Sequence, residues 1–156
     1  MRILGIDPGL ATTGFAILEL ENGQKKLLNC GVIKTSKDLR LSERLLEIEK
    51  DLNAILAQYK PDRCSIEQLF FSKNVTTGIA VSHARGALLM ALETHHVPIH
   101  EMSPSAMKLA LTGNGRADKK SIQRMVQLEL GLKEVPKPDD AADAVSLALS
   151  LACTLR

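Results

Sequence analysis

The chain of 156 residues is long enough for one domain with its own hydrophobic core, and we expect a single domain over residues 1–156. Its net charge of +2 does not by itself indicate a nucleic-acid partner, and an aromatic content of 3% predicts an aliphatic core. No apolar run approaches the ~20 residues that cross a bilayer, and the start lacks a secretory signal pattern. We therefore expect a cytoplasmic protein that does not associate with membranes and whose scattered cysteines, Cys30, Cys64 and Cys153, are free thiols.

The first predicted element is a short buried strand that ends in a carboxylate. An apolar run from Ile3 to Ile6 leads to Asp7, and Pro8-Gly9 then allows a sharp turn beside that side chain. Open α/β sheets bind ligands outside the carboxyl ends of their strands, so Asp7 is a candidate site residue. A single acid of this kind is weak evidence, and the hypothesis depends on other acids converging on it.

A hairpin and an amphipathic helix are predicted next. Residues 12–20 and 27–33 have the composition of strands, and the Asn22-Gly23 pair between them is a strong hairpin signal. A polar turn over residues 35–39 precedes a helix that extends to about Tyr59. Its apolar residues recur in steps of three and four, at Leu41, Leu45, Ile48, Leu52, Ile55 and Tyr59. This single apolar stripe predicts that one side of the helix packs on the sheet.

The second half of the chain predicts two more strands, over residues 64–68 and 97–102, and four helices. The first of these strands again ends in a carboxylate, Glu67. The helices are predicted over residues 76–93, from Pro104 to near Gly113, from Asp118 to about Leu130, and from Asp139 or Asp140 onward. The helix over residues 76–93 is apolar on more than one side. It is therefore either enclosed within its own domain or covered by a second copy of the chain.

Together these elements predict an α/β fold built on a five-stranded mixed sheet in the order 3-2-1-4-5, with helices on both faces. The first three strands are expected to be antiparallel neighbours. Right-handed crossovers then make the fourth and fifth strands parallel to the first. Asp7 and Glu67 would consequently end adjacent parallel strands, where α/β sheets bind their ligands.

Further acids come from the start of the last helix. Asp140 and Asp143 are three residues apart and share one helical face, and the alanines between them would let that face lie close to the sheet. Helix capping is an alternative account of Asp139 or Asp140, but it explains Asp143 less well. The four candidate catalytic residues are therefore Asp7, Glu67, Asp140 and Asp143.

Carboxylates crowded in this way repel one another unless a cation lies among them. Oxygen ligands favour hard cations, so Mg²⁺ is expected, and Mn²⁺ could substitute for it. Two such ions ~3.5–4 Å apart can activate a water and stabilise the leaving oxygen of a phosphodiester. We expect Asp7 to bridge two ions, Glu67 and Asp143 to hold one each, and Asp140 to orient the water. The division among the last three remains open.

Four segments, taken together and in this order, resemble the RuvC family of Holliday-junction resolvases. They are Gly5-Ile6-Asp7-Pro8-Gly9, Ile66-Glu67-Gln68 with Phe70 and Lys73-Asn74, Ala84-Arg85-Gly86, and Asp140-Ala141-Ala142-Asp143. The resemblance implies a ribonuclease H-like fold and Mg²⁺-dependent cutting of two opposed strands of a four-way DNA junction, in recombination and repair, with 5'-phosphate and 3'-hydroxyl ends. It also implies a homodimer that works with the RuvA–RuvB branch-migration complex. The four candidate acids match the family's catalytic acids.

Basic and aromatic residues are the candidate DNA contacts. Residues 70–92 contain no acid but contain Lys73 and Arg85, and residues 104–133 carry six cations against two acids. The resemblance places Lys108 and Lys119 at basic positions of the family, although the neighbouring Lys120 leaves the second match open by one position. It also places Phe70 where an aromatic residue stacks on bases. The full set is Phe70, Lys73, Arg85, Lys108, Arg116, Lys119 and Lys120.

Three alternatives stay open at this stage. A phosphotransferase can also begin with Gly-Ile-Asp, but it would need a second lobe and glycine-rich phosphate loops. A junction-binding module without catalysis would gain nothing from four acids, since bare carboxylates repel DNA. A ribonuclease H-like enzyme that acts on RNA–DNA hybrids cannot be separated from a resolvase on these residues alone.

Overall fold

A computed structural model of the protein describes residues 1–69 and 75–155, apart from the side chains of residues 75 and 76. These residues form five strands and five helices in the predicted order. The strands are β1 (Arg2–Asp7), β2 (Thr12–Glu21), β3 (Gln24–Lys34), β4 (Arg63–Glu67) and β5 (Ile99–Met102). The helices are α1 (Leu41–Tyr59), α2 (Val75–Thr94), α3 (Pro104–Thr112), α4 (Lys119–Leu130) and α5 (Asp139–Thr154).

The sheet has the predicted order β3-β2-β1-β4-β5, with β1 at its centre. β2 is antiparallel to both β1 and β3, whereas β4 is parallel to both β1 and β5. Ile6 pairs with Ile66, so the next residues, Asp7 and Glu67, leave the sheet at the same edge. The expected start of the third strand was too late, because Gln24 already pairs with Glu21 across the Asn22-Gly23 turn.

Each face of the sheet has its own hydrophobic core. One core joins the sheet to α1 and α2, and the other joins it to α3, α4 and α5. The residues of α1 that are buried are Ile48, Leu52 and Leu56. The expected stripe on this helix is therefore right in its middle and wrong at its start, where Leu41, the first residue of the helix, is 40% exposed and belongs to neither core.

Among its described side chains, helix α2 is buried on one side and exposed on the other. Ala84, Leu88, Ala91 and Leu92 are buried against α1 and the sheet. On the other side Ile79 is 51% exposed and Met90 is 67% exposed. The alternative in which this helix is enclosed within its own chain is therefore wrong.

Two glycines bring α5 into direct contact with the middle of the sheet. A β-carbon at Gly5 of β1 would overlap the carbonyl oxygen of Ala144, and one at Gly14 of β2 would overlap the carbonyl oxygen of Asp140. Any side chain at either position would push the helix outward. The contact is consequently closer than helix–sheet packing through side chains, and it fixes where the start of α5 lies.

None of the helices in residues 1–69 and 75–155 combines the length and apolar character that crossing a bilayer requires. Cys30, Cys64 and Cys153 are free thiols, as predicted. Cys64 is fully buried, and burial raises the pKa of its thiol well above the usual range.

Candidate active site

The predicted acids meet where β1 and β4 end. Asp7, Glu67 and Asp143 line one cavity of about 290 Å³ together with Lys108 and Lys119. Asp140 lines a neighbouring cavity and still acts electrostatically on Asp7. The structure thus brings residues from three separate elements to one edge of the sheet, as the sequence predicted.

The turn after β1 is closed by its own hydrogen bonds. The hydroxyl of Thr13 donates to the carbonyl oxygen of Gly9 at 2.7 Å, and the amide of Gly9 lies 3.4 Å from the same hydroxyl oxygen. A β-carbon at Gly9 would overlap the carbonyl oxygen of Thr12. This compact turn directly follows Asp7 at the edge of the sheet.

The start of α5 is positioned by small residues on both sides of the contact. Ala141 and Ala142 are buried at 0% and 4% exposure, and Gly14, which pairs with Asp7 across the strands, lies directly under the backbone of Asp140. The alanines were predicted, but the role of Gly14 was not. The available signal was a glycine within an otherwise apolar strand, which often marks a close approach of another backbone.

Crowding and burial both hinder ionisation of these acids. The pKa of Asp7 is raised from 3.8 to about 7, first by burial and then by the charges of Glu67, Asp143 and Asp140, while Lys119 lowers it. Burial is also the main reason why the pKa values of Glu67 and Asp143 are raised. The ionised carboxylates are therefore destabilised in this site, and a bound cation would stabilise them.

The ammonium group of Lys119 already lies beside these acids. Its Nζ is 3.0 Å from a carboxylate oxygen of Asp139 and 3.6 Å from one of Asp143. Asp139 was interpreted only as a possible cap, whereas no side chain caps α5 and the residue before the helix is Pro138. The sequence shows that Asp139 is an acid next to the candidate ligand Asp140, but it does not show that Lys119 is the partner of Asp139.

The donor set suits a hard divalent cation, because it consists of carboxylates without thiolates or imidazoles. In the described part of the chain, however, no three His, Cys, Asp or Glu side chains are already gathered around one metal position. The acids share a cleft and act on one another electrostatically. Coordination would require their side chains to converge.

The other predicted DNA contacts lie at different distances from the cleft. Lys108 lines it, Lys120 is exposed on α4, and Arg116 lines a separate groove. Arg85 is engaged inside the chain: its Nη2 is 2.6 Å from Glu101, and its Nε donates to the carbonyl of Glu67 at 3.3 Å. The predicted contacts Phe70 and Lys73 lie outside the described residues.

Comparison with known proteins identifies the family. The family model for Crossover junction endodeoxyribonuclease RuvC matches residues 3–151. The chain belongs to the RuvC family. A RuvC from Chloroflexus aurantiacus is 47% identical over 99% of this chain and 94% of the relative, and one from Brevibacillus brevis is 47% identical over 96% and 90%.

Solved structures agree with this assignment. The RuvC of T. thermophilus in complex with a Holliday junction substrate has a TM-score of 0.95 and 34% identity, covering 100% of this chain and 95% of that one. A Fowlpox virus resolvase shares only the fold, at a TM-score of 0.65 and 19% identity, covering 98% of this chain and 99% of that one. The predicted ribonuclease H-like fold and junction-endonuclease activity are confirmed, and RuvC proteins are metal-dependent nucleases.

Proposed function

We propose that this RuvC protein resolves four-way DNA junctions through two symmetric Mg²⁺-dependent cuts that leave 5'-phosphate and 3'-hydroxyl ends. The observation that carries the proposal is the meeting of acids from β1, β4 and α5 in a cleft that also contains Lys108 and Lys119. A cleft with both signs of charge suits a phosphodiester. The lysines attract the DNA backbone, and the acids can bind a metal ion that screens their negative charge from the phosphates. This role belongs to homologous recombination and DNA repair.

Asp7, Glu67, Asp140 and Asp143 are the residues that would hold the metal, with Asp7 central because the other three all act on it. Bound there, divalent ions would supply an activated water and would stabilise the oxygen that leaves. Asp7 must be ionised to serve as a ligand, and its pKa of about 7 means that near neutral pH it holds a proton about half of the time. Metal binding is therefore expected to release a proton from this carboxyl group.

The cations of the cleft have a separate task. Lys119 neutralises Asp139 and Asp143 in the metal-free protein and would be free to turn toward a phosphate once a metal takes over that charge. Lys108 lines the same cavity and would add a second phosphate contact. Arg85 supports the site differently, since its bond to the carbonyl of Glu67 holds the end of β4 in place. A direct contact of Arg85 with DNA remains a prediction.

A homodimer would supply the second cut. The exposed side of α2 carries Ile79, His83, Gly86 and Met90 at helical spacing, and a β-carbon at Gly86 would meet no atom within 4 Å. This stripe is the surface on which we expect a second copy to pack about a two-fold axis.

The remaining parts of the proposal are a single domain over residues 1–156, a cytoplasmic location, and cooperation with the RuvA–RuvB complex.

The test is a substrate panel. Labelled four-way junction, RNA–DNA hybrid, linear duplex and single strand are incubated with the protein, with and without Mg²⁺. We expect cutting of the junction alone, in two opposed strands, and only with the metal. Preference for the hybrid would overturn the proposal, and so would equal cutting without a divalent ion.

A further inference from the structure

A second cavity, of about 490 Å³, adjoins the acids on the side of α1 and α2. It is lined by Asp140, by the turn that follows Asp7, by residues of α2 and by Arg44 of α1. The cavity with Lys108 and Lys119 lies on the side of α3 and α4. The acid cluster therefore separates two cavities, each of which contains at least one basic side chain.

Arg44 is held in place by the same turn that follows Asp7. Its Nε donates to the hydroxyl oxygen of Thr35 at 2.8 Å, and that hydroxyl donates to the carbonyl oxygen of Leu10 at 2.6 Å. The amide of Thr35 also donates to the carbonyl oxygen of Ala11 at 3.1 Å. One end of the guanidinium is thus fixed relative to the active site before any substrate arrives.

Arg44 brings a positive charge into a cavity that Asp140 also lines. Within residues 1–69 and 75–155, no carboxylate forms an ion pair with Arg44. It is half-buried and lines the cavity as its basic residue. Arginine binds phosphates well because its planar group offers several donors, of which Nε is the one already used here.

The two cavities lie on opposite sides of the acids, so a DNA strand that runs from one to the other would place phosphates in both, since a strand carries a phosphate for every ~3.4 Å of rise along the duplex. We propose that Arg44 binds a backbone phosphate adjacent to the one that is cut, on the α1 and α2 side of the acids. This inference rests on the proposed function. Arg44 acts as a positioning residue: with Lys108 and Lys119 on the other side, it fixes the strand so that the scissile phosphate stays over the acids.

The experiment compares Arg44→Ala with Arg40→Ala. Arg40 lies just before α1, its side chain is 81% exposed, and it does not line the cavity. Each of the two substitutions removes one positive charge, so the pair differs only in whether that charge lies in the cavity. Junction affinity is measured in EDTA over a series of salt concentrations, and the single-turnover cutting rate is measured with Mg²⁺. Thermal unfolding identifies a temperature at which all variants are folded.

We expect Arg44→Ala to weaken junction affinity by about tenfold or more, as the loss of a hydrogen bond to a charged group does. The magnitude of the slope of log affinity against log salt concentration should fall by about one, which is the value for the loss of one phosphate contact. Arg40→Ala should leave the affinity and the slope close to those of the wild type.

Two further variants separate charge from position. Arg44→Lys keeps the charge but cannot bind Thr35 and a phosphate with the same fixed geometry, so the salt slope should be retained while the cutting rate falls. Thr35→Val should behave in the same way, because it releases Arg44 without removing its charge. An unchanged slope in Arg44→Ala would overturn the inference while leaving the proposed function intact. A wild-type protein that neither binds nor cuts junctions would defeat both.

Discussion

Asp7 is the residue on which the electrostatics of the site converge. It ends the central strand, and burial first and then the charges of three other acids raise its pKa to about 7. The same placement that makes it a suitable metal ligand makes it costly to ionise without a metal. Two properties, metal binding and the dependence of stability on pH, should therefore change together when this side chain is altered.

In the metal-free protein, Asp7 should contribute less to stability as the pH rises from about 4 to about 7. The carboxyl of Asp7 ionises near 3.8 in the unfolded chain and near 7 in the folded one, so between these values the folded state binds more protons. The contribution of Asp7 to the free energy of unfolding must then fall with increasing pH. In EDTA at pH 8 we expect Asp7→Asn to be about 1 to 3 kcal/mol more stable than wild type, once partial exposure is allowed for.

Urea unfolding at pH 4, 6 and 8 measures this effect. Asp51→Asn, at an exposed acid of α1, is the matched control and should follow the wild type. Addition of Mg²⁺ at pH 8 should restore stability to the wild type and much less to Asp7→Asn. A stability difference between Asp7→Asn and the wild type that does not grow between pH 4 and pH 8 without metal would contradict the raised pKa of Asp7.

The four acids could be found from sequence because each follows a recognisable pattern. Asp7 and Glu67 each end an apolar run, and Asp143 is an acid among apolar helix residues. Asp139 and Arg44 could not be found in this way, because their relevance depends on partners distant in sequence, Lys119 and Thr35. Phe70 and Lys73 remain predictions, since they lie outside the described residues.

At the scale of elements, the site depends on how closely α5 approaches the sheet. Gly14→Ala should move the start of this helix, because the added β-carbon overlaps the carbonyl oxygen of Asp140. Overpacking of this kind costs about 1–3 kcal/mol, and a displacement of about 1 Å at the acids should slow cutting ~10²-fold. Denaturant unfolding and single-turnover cutting measure the two effects.

Gln58→Ala is the control for stability, since it alters an exposed side chain of α1 that lies off the stripe on α2. It should not lower the free energy of unfolding, and the better helix propensity of alanine should raise it slightly. A Gly14→Ala protein that cuts at the wild-type rate would show that the close contact of α5 does not position the acids.

The exposed stripe on α2 makes a separate prediction about assembly. If the proposed dimer packs through this stripe, Met90→Glu should convert it into a folded monomer, because the substitution would place a charge in an apolar contact. Sedimentation equilibrium gives the mass. Leu46→Glu is the matched control, since Leu46 of α1 is 63% exposed and lies off this stripe. Equal masses for the two variants would argue against α2 as the dimer contact.

The arrangement of elements was predictable because its signals are local. The Asn22-Gly23 turn set the hairpin, and the handedness of crossovers set the places of β4 and β5. The start of β3 and the exposure of Leu41 were missed because both depend on how far a neighbouring element extends. The role of Gly5 and Gly14 was missed for a similar reason: a helix that lies against them is distant in sequence.

At the scale of the whole molecule, the small net charge of +2 conceals a strong local separation of charge. Acids occupy one edge of the sheet, with Lys108 and Lys119 on one side and Arg44 on the other. Composition alone could not indicate DNA binding for this reason, whereas the positions of the charges do. A second copy of the chain was expected from the family resemblance and stays a prediction, since the exposed apolar face of α2 does not by itself identify what covers it.

The most direct test of the central claim, that acids from three elements form one metal-dependent cutting centre, compares the wild type with Asp7→Asn on a labelled four-way junction. Affinity is measured in EDTA, and cutting is measured with and without Mg²⁺. We expect Asp7→Asn to bind at least as tightly as the wild type, because one negative charge near the phosphates is gone, and to cut at least 10²-fold more slowly with the metal present. Equal cutting by the two proteins would contradict the account.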